Sequence, residues 1–279
     1  MRKLAGRPSD DHRHHKQSAL ADLLVSSTPE RFGVDLADAL EHRPEMTLDV
    51  VNQRVIAYQF LAHLGNIIRR FRIDTIIDAG AHSGQYASTV YGYAGFKGQI
   101  HSFEPVKRYF DVLNSHLHYY PGWSAYNLAL GDEPGPAQIF VGGGHGGTSS
   151  LLAQTEHLTT FASANTLGEP EDIEVRRVDD MFGEALSDPE RRVMLKLDVQ
   201  GFEERVLRSA GRFVESFKLV QVEVSSVDLY AGQGSVGAIV SYLENLGYTL
   251  VFTVNSFSPQ PSIFIDYDFI FCRRSEIVS

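Results

Sequence analysis

Residues 77–84 read IDAGAHSG, that is Ile77-Asp78-Ala79-Gly80-Ala81-His82-Ser83-Gly84. An apolar run, then a carboxylate and two glycines four apart, is the pattern of a strand that ends in a tight turn and passes into a helix. Gly80 lets the backbone turn sharply and approach a ligand, and Gly84 allows close packing where the helix begins. The spacing does not fit the G-x-G-x-x-G dinucleotide fingerprint, whose second glycine would fall on His82 and third on Gln85.

Outward from this turn the chain alternates short apolar runs with amphipathic stretches. Strands are expected at DTIID (74–78), QIHSFEP (99–105), WSAYNLAL (123–130), PAQIFVG, IEVRRVD (173–179), VMLKLDV (193–199) and KLVQVEV (218–224). Helices are expected at YASTVYGYA, VKRYFDVLNSHLHYY, EERVLRSAGRFVES and VGAIVSYLENLGY, with a short one near DDMF. Such alternation gives a mostly parallel sheet with helices on both faces. The last two runs, YTLVFTV (248–254) and DFIFCRR (268–274), have no helix between them and read as antiparallel neighbours, so the sheet is mixed. Before the sheet, residues 19–72 carry helical apolar spacing and form an N-terminal extension, while the polar residues 1–18 read as a disordered tail.

The composition narrows the function. Of 279 residues 43% are hydrophobic, enough for one large α/β domain with an extension. Asp and Glu number 35 against 25 Lys and Arg, a poor balance for a nucleic-acid binder, and no apolar run is long enough for a membrane span. The single cysteine, Cys272, rules out an internal disulfide. The expectation is a soluble cytoplasmic protein that acts on a small molecule, without nucleic-acid or membrane partners.

In a doubly wound sheet the ligand lies beyond the carboxyl ends of the strands. The second strand ends in Phe103-Glu104-Pro105, and Glu104 follows the glycine turn at the spacing of an acid that accepts from ribose hydroxyls. The third run ends at Asn127-Leu128-Ala129, where backbone or amide groups can meet an adenine edge. In VMLKLDVQG, Lys196 and Asp198 share a face, as do Gln221, Glu223 and Ser225 in the next strand. Central parallel strands are normally apolar, so this polar row is either paired or used. A buried Lys196–Glu223 ion pair is the structural explanation, and Asp198 and Glu223 facing the ligand cleft is the functional one; the two are compatible. The run GGGHGGTSS (142–150) lacks the Gly-Lys-Ser/Thr ending of a phosphate loop. It reads as part of a lid over the site, spanning about 142–172, with His145 a candidate base.

IIDAGAHSGQYAS, HSFEPV, NLALGD, GGTSSL, RRVDDMF, LKLDVQGFEERVLRSA, VQVEV and LENLGY occur in the order and spacing of the FkbM-type S-adenosylmethionine-dependent methyltransferases, and roughly residues 73–273 resemble that family. The resemblance implies a Rossmann-like, seven-stranded class I methyltransferase sheet over 73–279 with its last strand antiparallel. It implies O-methylation of a sugar, polyketide or other natural product. It assigns Asp78, Gly80, Ser83 and Gly84 to the methionyl part of the cofactor, with His82 and Tyr86 on the same turn. Glu104, with Pro105 beside it, is assigned to the ribose, Asn127 and Ala129 to the adenine, and Asp198 to the place beneath the methionine and acceptor. The family's Asp-x-Glu-Gly is here Asp198-Val199-Gln200-Gly201, so an acidic role at the third position is lost or moved.

An alcohol acceptor needs its proton removed. Either Asp198 or His145 takes it, or Asp198 and Glu223 hold a divalent cation such as Mg²⁺ that lowers the hydroxyl pKa. Two other classes compete: a nicotinamide-dependent oxidoreductase, disfavoured by the glycine spacing, and a non-catalytic binding or scaffolding protein. The helical extension is a candidate homo-oligomer contact.

Overall fold

The computed structural model describes residues 48–143, 147–161, 169–257 and 265–277. The expected tail, 1–18, and the first part of the expected extension, 19–47, lie outside them. The chain divides into two units, 1–60 and 61–279. A helix, α1 (Leu48–Arg70), runs through the division. In the second unit its last turns bury Leu64, Ile67 and Ile68, spaced as one face of a helix.

The larger unit is built on a seven-stranded sheet. Its strands in chain order are β1 (Thr75–Ala79), β2 (Gln99–Phe103), β3 (Trp123–Tyr126), β7 (Val193–Leu197), β8 (Leu219–Ser225), β9 (Tyr248–Phe257) and β10 (Asp266–Arg273). In space the order is β3-β2-β1-β7-β8-β10-β9. The first five are mutually parallel; β10 lies antiparallel between β8 and β9. The expected mixed sheet with an antiparallel closing pair is therefore what forms. Every residue of β1 and β7 is buried, as central strands covered on both faces require.

Helices α2 (Gln85–Gly92), α3 (Lys107–His116), α5 (Val178–Ser187), α6 (Glu203–Ser209) and α7 (Val236–Asn245) connect the strands. One cluster of buried apolar side chains, including Ile77, Leu195, Leu197, Val206, Leu207 and Val220, joins β1, β7 and β8 to α6. Each such side chain contributes about 1.5–3 kcal/mol by leaving water.

Two expectations need correction. The run 123–130 is not one strand. After β3, the side-chain amide of Asn127 donates to the carbonyls of Glu104 (3.0 Å) and Pro105 (2.8 Å) and turns the chain away. The next residues form β4 (Ala129–Leu130), which belongs with β5 (Gly135–Phe140) and β6 (Pro170–Arg176) to a separate three-stranded sheet in the order β4-β6-β5. The helix expected over 203–216 also stops early, at Ser209, and a 3₁₀ segment, Gly211–Ser216, continues it. Within the expected lid, the described residues include a short helix, α4 (Glu156–Phe161).

Candidate functional site

The carboxyl ends of β1, β2 and β7 meet at a cavity of about 240 Å³. Gly80, His82, Glu104, Pro105, Ala129 and Asp198, all singled out by the sequence, line it. Phe103, Leu130 and Ile139 supply an apolar wall, and the loop 147–151 closes one side.

The floor depends on a close approach of two strands. Gly80 takes φ +78°, and a Cβ placed on it would lie 1.7 Å from the carbonyl oxygen of Asp198. No other residue fits there. Gly84, at φ +85°, begins α2, and a Cβ on it would strike the Trp123 ring at 2.7 Å. Between them His82 is also left-handed, at φ +50°, an uncommon state for a residue with a side chain. That turn aims the His82 N–H at Glu104 Oε2 (2.8 Å), while the Val106 N–H donates to Glu104 Oε1 (2.8 Å). The His82 ring stacks on Tyr109 at 4.0 Å between centroids, and its Nδ1 lies 3.0 Å from Ser83 Oγ. Burial pushes the Glu104 carboxyl up to about 7, a rise that the two backbone N–H bonds only partly offset. Each oxygen keeps a lone pair for a hydroxyl donor from the cavity.

Asp78 does not line the cavity. It is fully buried at the end of β1, where it accepts from Ser102 Oγ (2.9 Å); Ser102 in turn accepts from the Trp123 indole N–H (2.9 Å). The register sets Asp78 directly opposite Lys196 on β7, and Lys196 Nζ lies 3.2 Å from Asp78 Oδ1. Oδ1 has no well-directed hydrogen bond, so this contact is one of charge. Nζ also reaches Gly80 O (3.2 Å) and Asp198 Oδ2 (3.4 Å), and lies 5.1 Å from the centre of the Tyr86 ring. On β8 the residue opposite Lys196 is Gln221, two positions before Glu223. The expected Lys196–Glu223 pair is thus replaced by Lys196–Asp78 and Lys196–Asp198. Lys196 ties the turn, the strand end and the cavity carboxylate together, a role the sequence suggested only by placing a lysine in an apolar strand. Tyr86, half-buried, donates to Gln221 Oε1 (2.9 Å).

Asp198 opens into the cavity, with 39% of its side chain exposed, yet protein atoms ring it. Burial pushes its carboxyl up, but the Lys196 ammonium and neighbouring hydrogen bonds outweigh this and hold it below the usual range. Glu223 behaves oppositely: burial and the charges of Asp198, Asp268 and Asp266 raise it well above its ordinary value. Asp198 is therefore the more acidic member of the pair and Glu223 the less acidic one. Glu223 lies outside the main cavity, on a neighbouring one of about 10 Å³.

Three residues absent from the sequence-derived set organise this end of the site. Gln200 Nε2 donates to Asp198 Oδ1 (2.9 Å) and to Glu223 Oε2 (2.8 Å). The Tyr230 hydroxyl donates to Gln200 Oε1 (2.8 Å), and Ser150 Oγ donates to the Gln200 carbonyl (2.6 Å). His145 lies outside the described residues. Among the described residues no group of three or more His, Cys, Asp and Glu is arranged to hold a metal ion, and no helix is long and apolar enough to cross a membrane.

Among solved structures, a methyltransferase FkbM from Methylobacillus flagellatus KT is 15% identical with a TM-score of 0.45, over 71% of this chain and 43% of that one. This chain thus spans less than half the length of that protein. The magnesium protoporphyrin IX methyltransferase of Synechocystis PCC 6803, determined with bound S-adenosylmethionine, is 11% identical with a TM-score of 0.41, over 96% and 100% of the two chains. Fibrillarin from Aeropyrum pernix, with natively bound S-adenosyl-L-methionine, is 15% identical with a TM-score of 0.39, over 71% and 66%. No curated protein matches the sequence. The family model described as the methyltransferase FkbM domain matches residues 78–250, from the buried aspartate of β1 into β9. That span covers more than half of the sequence, and by it the chain belongs to the FkbM methyltransferase family.

Proposed function

We propose that the cavity binds S-adenosylmethionine and that the protein transfers its methyl group to a hydroxyl of a small molecule, a sugar or a glycosylated or polyketide natural product. The observation that carries the reading is the pairing of Gly80 with Glu104. A glycine whose Cβ would collide with Asp198 O forms the floor, and a buried carboxylate held by two backbone N–H groups stands on the rim. The first suits a cofactor chain pressed against bare backbone. The second suits the two hydroxyls of a ribose. Phe103, Leu130 and Ile139 offer an apolar surface for a flat base.

S-adenosylmethionine supplies an electrophilic methyl on a sulfonium. The new bond joins the acceptor oxygen to that methyl, and the methyl–sulfur bond breaks with its electrons left on sulfur. The hydroxyl proton goes to a protein base. Asp198 suits this role, since it faces the cavity and Lys196 keeps it ionised. His145 is the second candidate. The loop 147–151 and the carboxylates disfavour a polyanionic nucleic acid and favour a small neutral acceptor. Isothermal calorimetry tests the cofactor. S-adenosylhomocysteine binds and NAD does not; an absence of S-adenosylhomocysteine binding removes the reading. A screen of glycosides and nucleotide sugars with labelled cofactor then identifies the acceptor.

A further inference from the structure

Resting on that reading, we propose that Gln200 is the positioning residue of the reaction centre: its side-chain NH₂ takes the bridging place between Asp198 and Glu223, so Asp198 meets the acceptor hydroxyl without a divalent cation. The two N–H bonds, 2.9 Å to Asp198 Oδ1 and 2.8 Å to Glu223 Oε2, use both hydrogens of one amide nitrogen. A cation bridging the two carboxyl groups needs oxygen donors pointed inward, and here the inward group is itself a donor. Mg²⁺ therefore does not fit the pair.

The orientation of the amide is fixed from the other side. Tyr230 OH donates to Gln200 Oε1 at 2.8 Å. Burial, and next the charge of Glu223, raise the Tyr230 phenol far above its ordinary value, so it stays a donor. An amide turned the other way would set its NH₂ against that donor and its oxygen against the Asp198 carboxylate. The backbone is held too: Gln200 takes φ +53°, and its carbonyl accepts from Ser150 Oγ at 2.6 Å. The Tyr230 hydroxyl also lies 3.3 Å from Thr148 O. Gln200 thus joins the loop that closes the cavity to Asp198, which faces it.

Gln200→Glu is nearly isosteric and replaces the bridging donor with a third carboxylate. Mn²⁺ binding, read by electron paramagnetic resonance on full-length protein, tests the idea. Wild type shows no site that depends on Asp198. Gln200→Glu gains one, at least tenfold tighter than any wild-type binding, and adding Asp198→Asn abolishes it. A wild-type Mn²⁺ site lost in Asp198→Asn overturns the proposal, as does a folded Gln200→Glu protein that gains none. A melting curve shows whether that variant folds. If it does not, Gln200→Ala substitutes, with the same gain and loss expected from the opened bridging place. S-adenosylhomocysteine calorimetry on wild type runs in parallel: its failure sinks the methyltransferase reading and leaves the Mn²⁺ result interpretable.

Discussion

Lys196 and Asp78 form an ion pair at the centre of the sheet, 3.2 Å apart, with side chains only 5% and 0% exposed. Asp198 shares the same ammonium at 3.4 Å. Burial disfavours the Lys196 charge, but Asp198 and Asp78 outweigh it and keep the amine protonated. The pair is costly to build and far more costly to halve. Lys196→Met leaves Asp78 buried without its cation and lowers stability by about 3–5 kcal/mol. The double variant Lys196→Met/Asp78→Asn recovers much of that loss. Urea unfolding of the two singles and the double gives the coupling, and additive losses contradict the pairing.

Gly80→Ala combines two penalties. The left-handed φ costs about 1–2 kcal/mol for a side chain, and the Cβ at 1.7 Å from Asp198 O forces β1 and β7 apart. Overpacking of this kind costs about 1–3 kcal/mol more. Loss of 3 kcal/mol or more, or failure to accumulate folded protein, is the expected result. A variant as stable as wild type means the floor of the cavity is misread.

Glu104 links cofactor binding to pH. Its carboxyl lies at about 7 in the folded chain, above its ordinary value. The folded state thus keeps a proton that the unfolded chain has lost, so this group's contribution to stability falls as pH rises from about 4.5 to 7, by about 3 kcal/mol in all. Ribose hydroxyls donate to the ionised form. S-adenosylhomocysteine affinity therefore rises with pH, being roughly tenfold weaker at pH 6 than at pH 7.5. Calorimetry across that range checks it, and an affinity that is flat or improves toward acid removes Glu104 from the ribose.

Asp198→Asn separates binding from chemistry. With the proton acceptor gone, methyl transfer falls by about 10²–10⁴, while S-adenosylhomocysteine binds within a few-fold of wild type. His145→Ala, assayed beside it, assigns the base: a loss of that size in His145→Ala with Asp198→Asn unchanged moves the role to His145.

Much of the main sheet was legible because its central strands, such as TIIDA and VMLKL, are apolar runs bounded by turns. Glu104 was legible as an acid at a strand end after a glycine turn. The small sheet was not, since what diverts the chain after Tyr126 is the Asn127 amide reaching the Glu104 and Pro105 carbonyls, bonds that span 23 and 22 residues. Lys196 stood out as a charge in an apolar strand, but its partner depended on the register of β1 with β7, which a sequence does not print. Gln200 was visible only as a departure from Asp-x-Glu-Gly. Its meaning comes from Tyr230, 30 residues on, in a loop with no periodicity to mark it.

The cavity floor also sets when the site can exist during synthesis. The His82–Glu104 bond closes a loop of only 22 residues, so the β1–β2 half of the rim rests on a contact of short range. The Lys196–Gly80 bond, which secures the other half, spans 116 residues. Contacts of such long range form late, after a large loop-closure cost has been met. Until β7 is in place, Asp78 lacks its Lys196 partner and Gly80 the Asp198 carbonyl packed against it, so the cavity is complete only once the centre of the sheet has formed.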